Sequence, residues 1–312
     1  MKKVIKILST LAIALIFGCL SLYLYRYWKQ EKNPLTAALR KSRNETFIRL
    51  SKGFVRYKMN NPDAKETIVF LGGAGVGIEV WEKVADRLAQ RGFRTLTFDF
   101  YGRGFSDRVE GVYTSQLFTG QTKELLDSLK ISGKINLASF SMGAIVGIDY
   151  ALQNASTIKS FIFVDPAAMN SGLKWYLKNK YLADFLITVY WMPKSIKSQM
   201  SEFYAKKGFD AYRKALVEQK EIAGYKQAIL SLWRNVLSVD KSGDIQILGK
   251  LPFPKLLIWG KNDTRALFPS SKKYISKLPG VSFKPIDYCG HPAPYEKPEE
   301  VARYIGAFLL GN

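Results

Sequence analysis

The sequence predicts an α/β fold: a mostly parallel central sheet with helices on both faces, interrupted by a helical insertion. Short apolar runs typical of buried strands alternate with helical patterns over residues 46–164, and this alternation resumes over 250–312. Between these two parts, residues 165–249 lack strong strand patterns and are rich in aromatic residues and lysine. A long uncharged stretch, residues 7–25, precedes the whole arrangement.

The N-terminal segment, residues 1–28, is a candidate membrane anchor. Lysines precede the uncharged stretch over 7–25, whose 19 residues span roughly 28 Å as a helix, close to the ~30 Å hydrocarbon core of a bilayer. Aromatic side chains at its end suit the headgroup level: Tyr23, Tyr25, Tyr27 and Trp28. The sequence therefore predicts a single-pass membrane protein. Positive charge flanks both ends, so the side of the membrane stays open.

Two alternatives to an uncleaved anchor remain. A cleaved signal peptide fits less well, because the apolar run is long and no Ala-x-Ala-like cleavage site is present. A lipoprotein attached through Cys19 also fits less well, because Ile16 and Phe17 are bulky residues close to the attachment position. The anchor is therefore the favoured interpretation.

The polar residues 29–45 predict a linker, and the sheet domain follows. Alternation at Phe47–Leu50 and Phe54–Met59 predicts an antiparallel hairpin. Buried strands are predicted at Thr67–Leu71, Arg94–Phe98, Lys134–Phe140 and Ile158–Val164. Helices are predicted at Val80–Ala89, Ser115–Leu129 and Met142–Gln153. After the insertion, the strand–helix alternation continues at Lys255–Trp259, Ser271–Lys277, Val281–Ile286 and Glu299–Leu309.

The helical insertion, residues 165–249, is expected to form a cap over the carboxyl edge of the sheet, where open α/β sheets bind ligands. Its first half is strongly apolar, with Trp175, Tyr176, Tyr181, Leu182, Phe185, Leu186, Tyr190, Trp191 and Met192. Such a surface suits an acyl-chain pocket or contact with a bilayer. Simple packing of the insertion onto the sheet domain is the alternative.

Composition excludes several classes of function. The formal net charge is +21, but lysine and arginine are spread along the chain without a nucleic-acid-binding motif, so we expect no nucleic-acid partner. A solvated basic surface and attraction to anionic lipid headgroups both remain open. With one histidine, no HExxH and no CxxC, we expect no metal site. We also expect no cofactor, and the oligomeric state is not predicted.

Ser141 is a candidate nucleophile. It lies in Ser139-Phe140-Ser141-Met142-Gly143, directly between a predicted strand and a predicted helix. A sharp strand-to-helix turn lifts a serine hydroxyl above the sheet, and it needs small residues two positions before and after, here Ser139 and Gly143. A helix N-cap role for Ser141 is the alternative.

Backbone N–H groups near Ser141 are candidate oxyanion donors. The residue after a nucleophilic serine, here Met142, supplies one donor from a helix N-terminus. A second donor is expected from the glycine-rich run that follows the third strand, Gly72-Gly73-Ala74-Gly75-Val76-Gly77. The alternatives are an ordinary turn or a phosphate-binding loop, but the run lacks the Lys-Ser/Thr ending of a P-loop.

His291 is the only histidine of the chain, so it is the only candidate imidazole base. Asp263, in Trp259-Gly260-Lys261-Asn262-Asp263, is the favoured acid to orient it, and a turn aspartate is the alternative. Asp165 and Asp244 are weaker candidates for the same role. Cys289 lies two residues before His291 but outside any elbow context, so it is expected to serve in packing.

These motifs resemble the α/β-hydrolase superfamily, and within it membrane-anchored or lid-bearing acylglycerol lipases and carboxylesterases. The order Ser, Asp, His matches that family. The run Leu71-Gly72-Gly73-Ala74-Gly75 is similar to the family's His-Gly-x-Gly-like loop, with Gly72 in place of the histidine. The run from Asp99 to Ser106 is similar to its D-x-x-G-x-G-x-S turn, and Ser139 replaces the usual first glycine of the elbow.

The resemblance implies a nucleophile at Ser141, a base at His291 and an acid at Asp263, with backbone donors at Ala74 and Met142. It implies a serine esterase or lipase-type hydrolase acting on a small-molecule or lipid ester. The anchor, the aromatic cap and the basic surface favour a lipidic substrate, such as a monoacylglycerol or lysolipid. A thioesterase, peptidase or acyltransferase with the same residues is an alternative, as is a non-catalytic binding protein on this fold.

Overall fold

The computed structural model describes residues 1–167, 169 and 172–311. Its centre is an eight-stranded sheet in the order β1-β2-β4-β3-β5-β6-β7-β8. The strands are β1 (Thr46–Arg49), β2 (Phe54–Asn60), β3 (Thr67–Leu71), β4 (Arg94–Phe98), β5 (Ile135–Phe140), β6 (Ile158–Val164), β7 (Lys255–Gly260) and β8 (Ser282–Ile286). β1 and β2 pair antiparallel, β2 also pairs antiparallel with β4, and the remaining pairs are parallel. The predicted mostly parallel sheet is confirmed.

Helices cover both faces of the sheet, as predicted. They are α3 (Glu82–Gln90), α4 (Ser115–Ser128), α5 (Met142–Gln153), α12 (Ser271–Lys277), α13 (Ala293–Glu296) and α14 (Pro298–Leu310). Neighbouring strand residues point to opposite faces, so Ile68 packs with α3 and α14 while Val69 packs with α4 and α5. Both faces are thereby buried, as parallel sheets require.

The helical segment between β6 and β7 contains α6 (Trp175–Lys178), α7 (Lys180–Leu186), α8 (Met192–Met200), α9 (Asp210–Lys220), α10 (Tyr225–Asn235) and α11 (Ser242–Gly249). A π-helical turn, Ile187–Trp191, joins α7 to α8. This segment falls within the residues 165–249 predicted to form a cap, and the term cap is used for it below. The division of the chain into domains stays a prediction.

The candidate anchor is one long helix, α1 (Lys2–Lys29), and none of its residues is buried. Among the described residues, α1 is the one helix that is both long enough and apolar enough to cross a membrane. Its most apolar window has a mean hydropathy of 2.3. Length and composition alone support this role. Residues 29–45, the predicted linker, contain a short helix, α2 (Ala37–Ser42), and an isolated parallel bridge from Asn33 to Ile222 of the cap.

A buried carboxylate, Asp99, joins β2, the loop after β3 and the turn after β4. It accepts hydrogen bonds from Arg56 Nε at 2.6 Å, from the Ile78 N–H at 2.7 Å and from the Phe105 N–H at 2.7 Å. Gly104, with φ of 45°, lies so close to Asp99 that a Cβ there would collide with the carboxylate. In the D-x-x-G-x-G-x-S pattern, the carboxylate of the first residue, Asp99, therefore packs against the turn formed by the residues that follow it.

Replacement of Asp99 by alanine is expected to destabilise the protein by about 3–5 kcal/mol, because it leaves the buried Arg56 without its main partner and two buried N–H groups without an acceptor. Urea unfolding followed by circular dichroism measures this change. The matched control is Asp127→Ala, which removes an exposed ion pair with Lys123 on α4 and is expected to cost less than about 0.5 kcal/mol. Equal losses in the two variants would contradict the role given to Asp99.

Candidate active site

Ser141 occupies a strained turn between β5 and α5. Its backbone φ is 51° and ψ is −117°, a conformation that non-glycine residues rarely adopt. A Cβ at Gly143 would lie 2.5 Å from the Leu71 carbonyl oxygen, so the first turn of α5 passes directly over the end of β3. Ser139 fits the usual glycine position because its hydroxyl donates to the Ile162 carbonyl at 3.0 Å. The serine at position 139 is thus accommodated by a hydrogen bond to the neighbouring strand β6.

The structure brings Ser141, His291 and Asp263 together, although they are up to 150 residues apart in the sequence. His291 Nε2 lies 2.9 Å from Ser141 Oγ, and His291 Nδ1 lies 2.7 Å from Asp263 Oδ2. The other oxygen of Asp263 accepts backbone N–H groups of Arg265 at 2.7 Å and Ala266 at 2.8 Å. These bonds fix the carboxylate plane toward the imidazole.

Asp165 and Asp244 do not contact the imidazole. Asp244 pairs with Lys241 at 2.8 Å. Asp165 lies buried at the end of β6, where its carboxylate accepts the Gly260 N–H at 2.7 Å and the Ala293 N–H at 3.3 Å. Burial, with the nearby charge of Asp263 as the next cause, raises the pKa of Asp165 well above its ordinary value. Asp165 therefore holds together the loops that carry Asp263 and His291.

Cys289 is buried, and its thiol contacts the Gly290 carbonyl. Burial, reinforced by the charge of Asp165, raises the pKa of this thiol, which disfavours the thiolate. Such a cysteine is inert, in keeping with the packing role predicted for it.

Ala74 and Met142, the predicted oxyanion donors, both belong to the surroundings of Ser141. Ala74 lines the cavity that contains Ser141, and Met142 is the first residue of α5. The N–H groups of a helix's first turn have no partner within the helix, so the α5 N-terminus favours an anion. This arrangement is suited to stabilising an oxyanion.

Two residues that sequence reasoning missed hold the loop that contains Ala74. Arg103 Nη1 donates to the Ala74 carbonyl at 3.1 Å. Gln219, on α9 of the cap, donates from Nε2 to the Gly75 carbonyl at 2.6 Å and accepts the Gly104 N–H at 3.0 Å. Only 1% of Gln219 is exposed. The cap is thus hydrogen-bonded to the loop itself.

A cavity of about 380 Å³ opens above Ser141 and lies within the size range of small-molecule sites. Its apolar part is formed by cap side chains: Tyr176, Leu177, Trp191, Ile229, Trp233 and Leu237. Trp191 and Trp233 meet edge to face, with ring centroids 4.8 Å apart. The cavity therefore offers an apolar compartment beside the serine hydroxyl.

A polar group of side chains borders the same cavity, comprising Gln199, Glu202, Tyr212 and Arg265. Glu202 Oε1 lies 3.2 Å from Arg265 Nε. The backbone carbonyl of Glu202 accepts a hydrogen bond from the backbone N–H of His291 at 2.9 Å. Burial raises the pKa of the Glu202 carboxyl, although His291 and Arg265 oppose that shift. Within the described part of the chain, no cluster of three His, Cys, Asp or Glu residues suits a metal ion.

For the ester hydrolysis that the resemblance implies, replacement of Gln219 by leucine is expected to lower kcat roughly tenfold or more while leaving KM nearly unchanged. The side chain keeps its size but releases the Gly75 carbonyl, and misplacement of an oxyanion loop affects the transition state more than substrate binding. Steady-state kinetics on a short-chain p-nitrophenyl ester measure both constants.

The matched control is Gln227→Leu, the same change at an exposed position on α10. It is expected to leave kcat unchanged. A Gln219→Leu variant with normal kcat, or one whose KM rises while kcat is kept, would show that the loop does not depend on this contact.

Comparison with known proteins places these features in a family. The sequence model described as "Alpha/beta hydrolase family" matches residues 68–304. A 2-hydroxy-6-oxononadienedioate/2-hydroxy-6-oxononatrienedioate hydrolase of Cupriavidus pinatubonensis is 24% identical over 291 residues, covering 88% of this chain and 98% of that protein. The AB hydrolase superfamily protein YisY of Bacillus subtilis is 24% identical over 248 residues, covering 77% and 90%.

Solved structures share the fold. A thermophilic esterase from Thermogutta terrifontis, with malate bound, superposes with a TM-score of 0.74 at 17% identity and covers 85% of this chain and 98% of its own. A membrane phospholipase A, described as a bacterial virulence factor, superposes with a TM-score of 0.70 at 20% identity. That alignment covers 100% of this chain and 99% of the phospholipase chain, so it includes the N-terminal helix.

Proposed function

The chain belongs to the α/β-hydrolase family and is an enzyme with hydrolytic activity, and we propose that it cleaves carboxylic esters of lipids through an acyl-enzyme on Ser141. The observation that carries this proposal is the hydrogen-bonded series Ser141 Oγ, His291 Nε2 and Nδ1, Asp263 Oδ2, with distances of 2.9 and 2.7 Å. This geometry is what an activated serine requires.

In the proposed reaction, Ser141 Oγ attacks the ester carbonyl carbon while its proton passes to His291 Nε2. The carbonyl oxygen becomes an oxyanion and accepts the N–H groups of Ala74 and Met142. The C–O bond to the alcohol then breaks, and the alcohol leaves with the proton from His291. Water, deprotonated by the same imidazole, attacks the acyl-enzyme and releases the acid. Asp263 keeps the Nδ1 proton and stabilises the imidazolium.

The cap side of the cavity supports a lipidic acyl group. Its apolar wall of aromatic and aliphatic residues lies beside Ser141, where the acyl chain of a bound ester would extend. The polar group around Glu202 and Arg265 lies in the same cavity and suits the hydroxyl groups of a glycerol-like alcohol. A monoacylglycerol or lysolipid combines these two chemistries.

Membrane attachment through α1 is part of the proposal. The helix is apolar and unburied, and the segment after it contacts the cap. The membrane phospholipase that superposes over the whole chain offers a parallel for such an arrangement. A single N-terminal anchor would keep the active site beside its lipid substrate, and a signal sequence is the competing explanation for α1.

Other acyl transfers use the same residues, so a thioesterase, peptidase or acyltransferase is the runner-up. A second candidate comes from the Cupriavidus relative, which is named for hydrolysing oxo-dienedioates. Arg265 borders the cavity and has the charge to bind a carboxylate, but Glu202 already lies 3.2 Å from it. The ester therefore remains the favoured substrate.

We expect a fluorophosphonate probe to label the full-length protein in detergent at Ser141, with loss of fluoride. Ser141→Ala and His291→Ala are expected to abolish labelling, because each removes one partner of the proton transfer. Asp263→Asn is expected to slow labelling by roughly 10³–10⁴-fold, because the amide favours the wrong tautomer of the imidazole. Gel fluorescence and mass spectrometry of the labelled peptide measure these outcomes.

Cys289→Ser serves as the control and should label at the parental rate, since its thiol has no catalytic role. A folded parent that does not label would contradict the proposed nucleophile. Labelling that persists in Ser141→Ala would assign the activated hydroxyl to another residue.

The substrate class is tested with a panel of detergent-solubilised esters of equal concentration. We expect kcat/KM to rise with acyl length and to be higher for a monoacylglycerol than for the methyl ester of the same acid, because one end fills the apolar compartment and the other meets the polar group. Faster turnover of a thioester, a peptide or an oxo-dienedioate than of any ester would replace this assignment.

A further inference from the structure

The end of α1 is docked on the cap rather than free. The Tyr23 hydroxyl donates to Asp184, and the Tyr23 ring stacks on Phe185 with centroids 6.2 Å apart. Seven residues later, Gln30 Nε2 donates to the Thr188 carbonyl at 2.9 Å. These contacts give the cap a defined orientation relative to the helix.

The contacts also set the direction of α7. Along α1 they advance from Tyr23 to Gln30, and along the cap they advance from Phe185 to Thr188. The two helices therefore run in the same general direction. This direction implies that the N-terminal end of α7, with α6 before it, lies toward the apolar part of α1, which is the part proposed to cross the bilayer.

Large aromatic side chains are exposed at this end of the cap. Tyr181, at the start of α7, is 83% exposed, and Trp175, at the start of α6, is 74% exposed. Tyrosine and tryptophan are the residues favoured at the level of lipid headgroups, since one end is apolar and the other polar. Their exposure is explained if a bilayer covers them.

The charge of the same segment is uniformly positive. Residues 172–183 contain Lys174, Lys178 and Lys180 and no acidic residue. The next acidic residue, Asp184, is bonded to Tyr23 of α1. A lysine cluster beside aromatic side chains is complementary to a bilayer that contains anionic lipids.

The segment also borders the active-site cavity. Lys174, Tyr176 and Leu177 line the cavity, whereas Trp175 and Tyr181 do not and face outward. One side of α6 thus faces the space above Ser141, and its other side is exposed. A lipid that left the bilayer at α6 would therefore meet the rim of the cavity that contains Ser141.

We propose that residues 173–181 form a membrane-docking surface for bilayers containing anionic lipids, and that lipid esters enter the cavity past it. This proposal rests on the proposed function and on the membrane placement of α1. The surface presents Trp175 and Tyr181 to the headgroup region and Lys178 and Lys180 to lipid phosphates. The anchor supplies attachment, and the docking surface supplies orientation.

The test uses the full-length protein in nanodiscs of phosphatidylcholine with phosphatidylglycerol, and it compares two activities. One is hydrolysis of a monoacylglycerol in the disc, and the other is hydrolysis of soluble p-nitrophenyl butyrate. The Trp175→Glu/Tyr181→Glu variant is expected to lose roughly tenfold or more of the first activity and less than about twofold of the second. Trp175→Phe/Tyr181→Phe is expected to keep both activities.

The matched control is Ile247→Glu, an apolar-to-acidic change at an exposed position on α11. It should leave the ratio of the two activities unchanged. Brominated lipids are expected to quench a component of tryptophan fluorescence that disappears in Trp175→Phe.

Variants of the lysines provide a second test, which does not require the aromatic variants to fold. Lys178→Glu/Lys180→Glu is expected to lower the in-disc activity roughly fivefold per lysine in anionic discs, with little change in purely phosphatidylcholine discs. A loss that is equal in both discs, an unchanged in-disc activity, or the absence of Trp175 quenching would overturn the docking surface. A parent that hydrolyses neither substrate would instead overturn the proposed function.

Discussion

The buried Asp99 carboxylate is the interaction on which the rest of the site depends. It binds Arg56 of β2, the first turn after the glycine-rich loop at Ile78, and the turn that ends at Ser106. The same turn contains Arg103, whose guanidinium donates a hydrogen bond to the Ala74 carbonyl. A single desolvated charge thus sets the position of the backbone proposed to bind the oxyanion, and its own cost of burial is offset by the guanidinium and two N–H donors.

The geometry of the proposed active site is assembled at the carboxyl ends of parallel strands, where loops from distant parts of the chain meet. Ser141 follows β5, Asp165 follows β6, and Asp263 follows β7. Close backbone packing, as at Gly143 over Leu71, keeps the elbow in its strained conformation. Asp165 is a second buried carboxylate, and it accepts the backbone N–H of Gly260. The imidazole of His291 is hydrogen-bonded to Asp263 instead.

Much of this arrangement was predictable because it is local in sequence. Strand β6 and helix α5 have the predicted bounds, Ile158–Val164 and Met142–Gln153, since apolar periodicity and the elbow motif mark their ends. The predicted helix over Val80–Ala89 begins instead at Glu82, after a short 3-10 turn at Ile78–Val80. The turn arises because the Ile78 N–H is bonded to Asp99, which no local pattern reveals.

The partners that act across the fold were not predictable. Gln219 is 144 residues from Gly75 and 115 from Gly104, and nothing in its own helix distinguishes it from other cap glutamines. The hydroxyl bond of Ser139 to Ile162 likewise needs the pairing of β5 with β6. Residues 29–45 read as a polar spacer, because the groups that bind Asn33 belong to the cap almost 190 residues later.

The bridge at Asn33 has a consequence for how the enzyme is handled. Asn33 donates to the Glu221 carbonyl at 2.9 Å and accepts the Ala223 N–H at 2.9 Å, and Glu221 follows Gln219 by two residues. A truncation that begins after Asn33 removes these two backbone hydrogen bonds at the end of α9. The same helix carries Gln219, which is hydrogen-bonded to the glycine-rich loop. A soluble catalytic fragment therefore has to start upstream of residue 31, where Glu31 also accepts the Lys226 N–H. The proposed anchor and the catalytic part of the chain therefore meet near the end of α1, and the polar residues that follow the helix belong to the catalytic part.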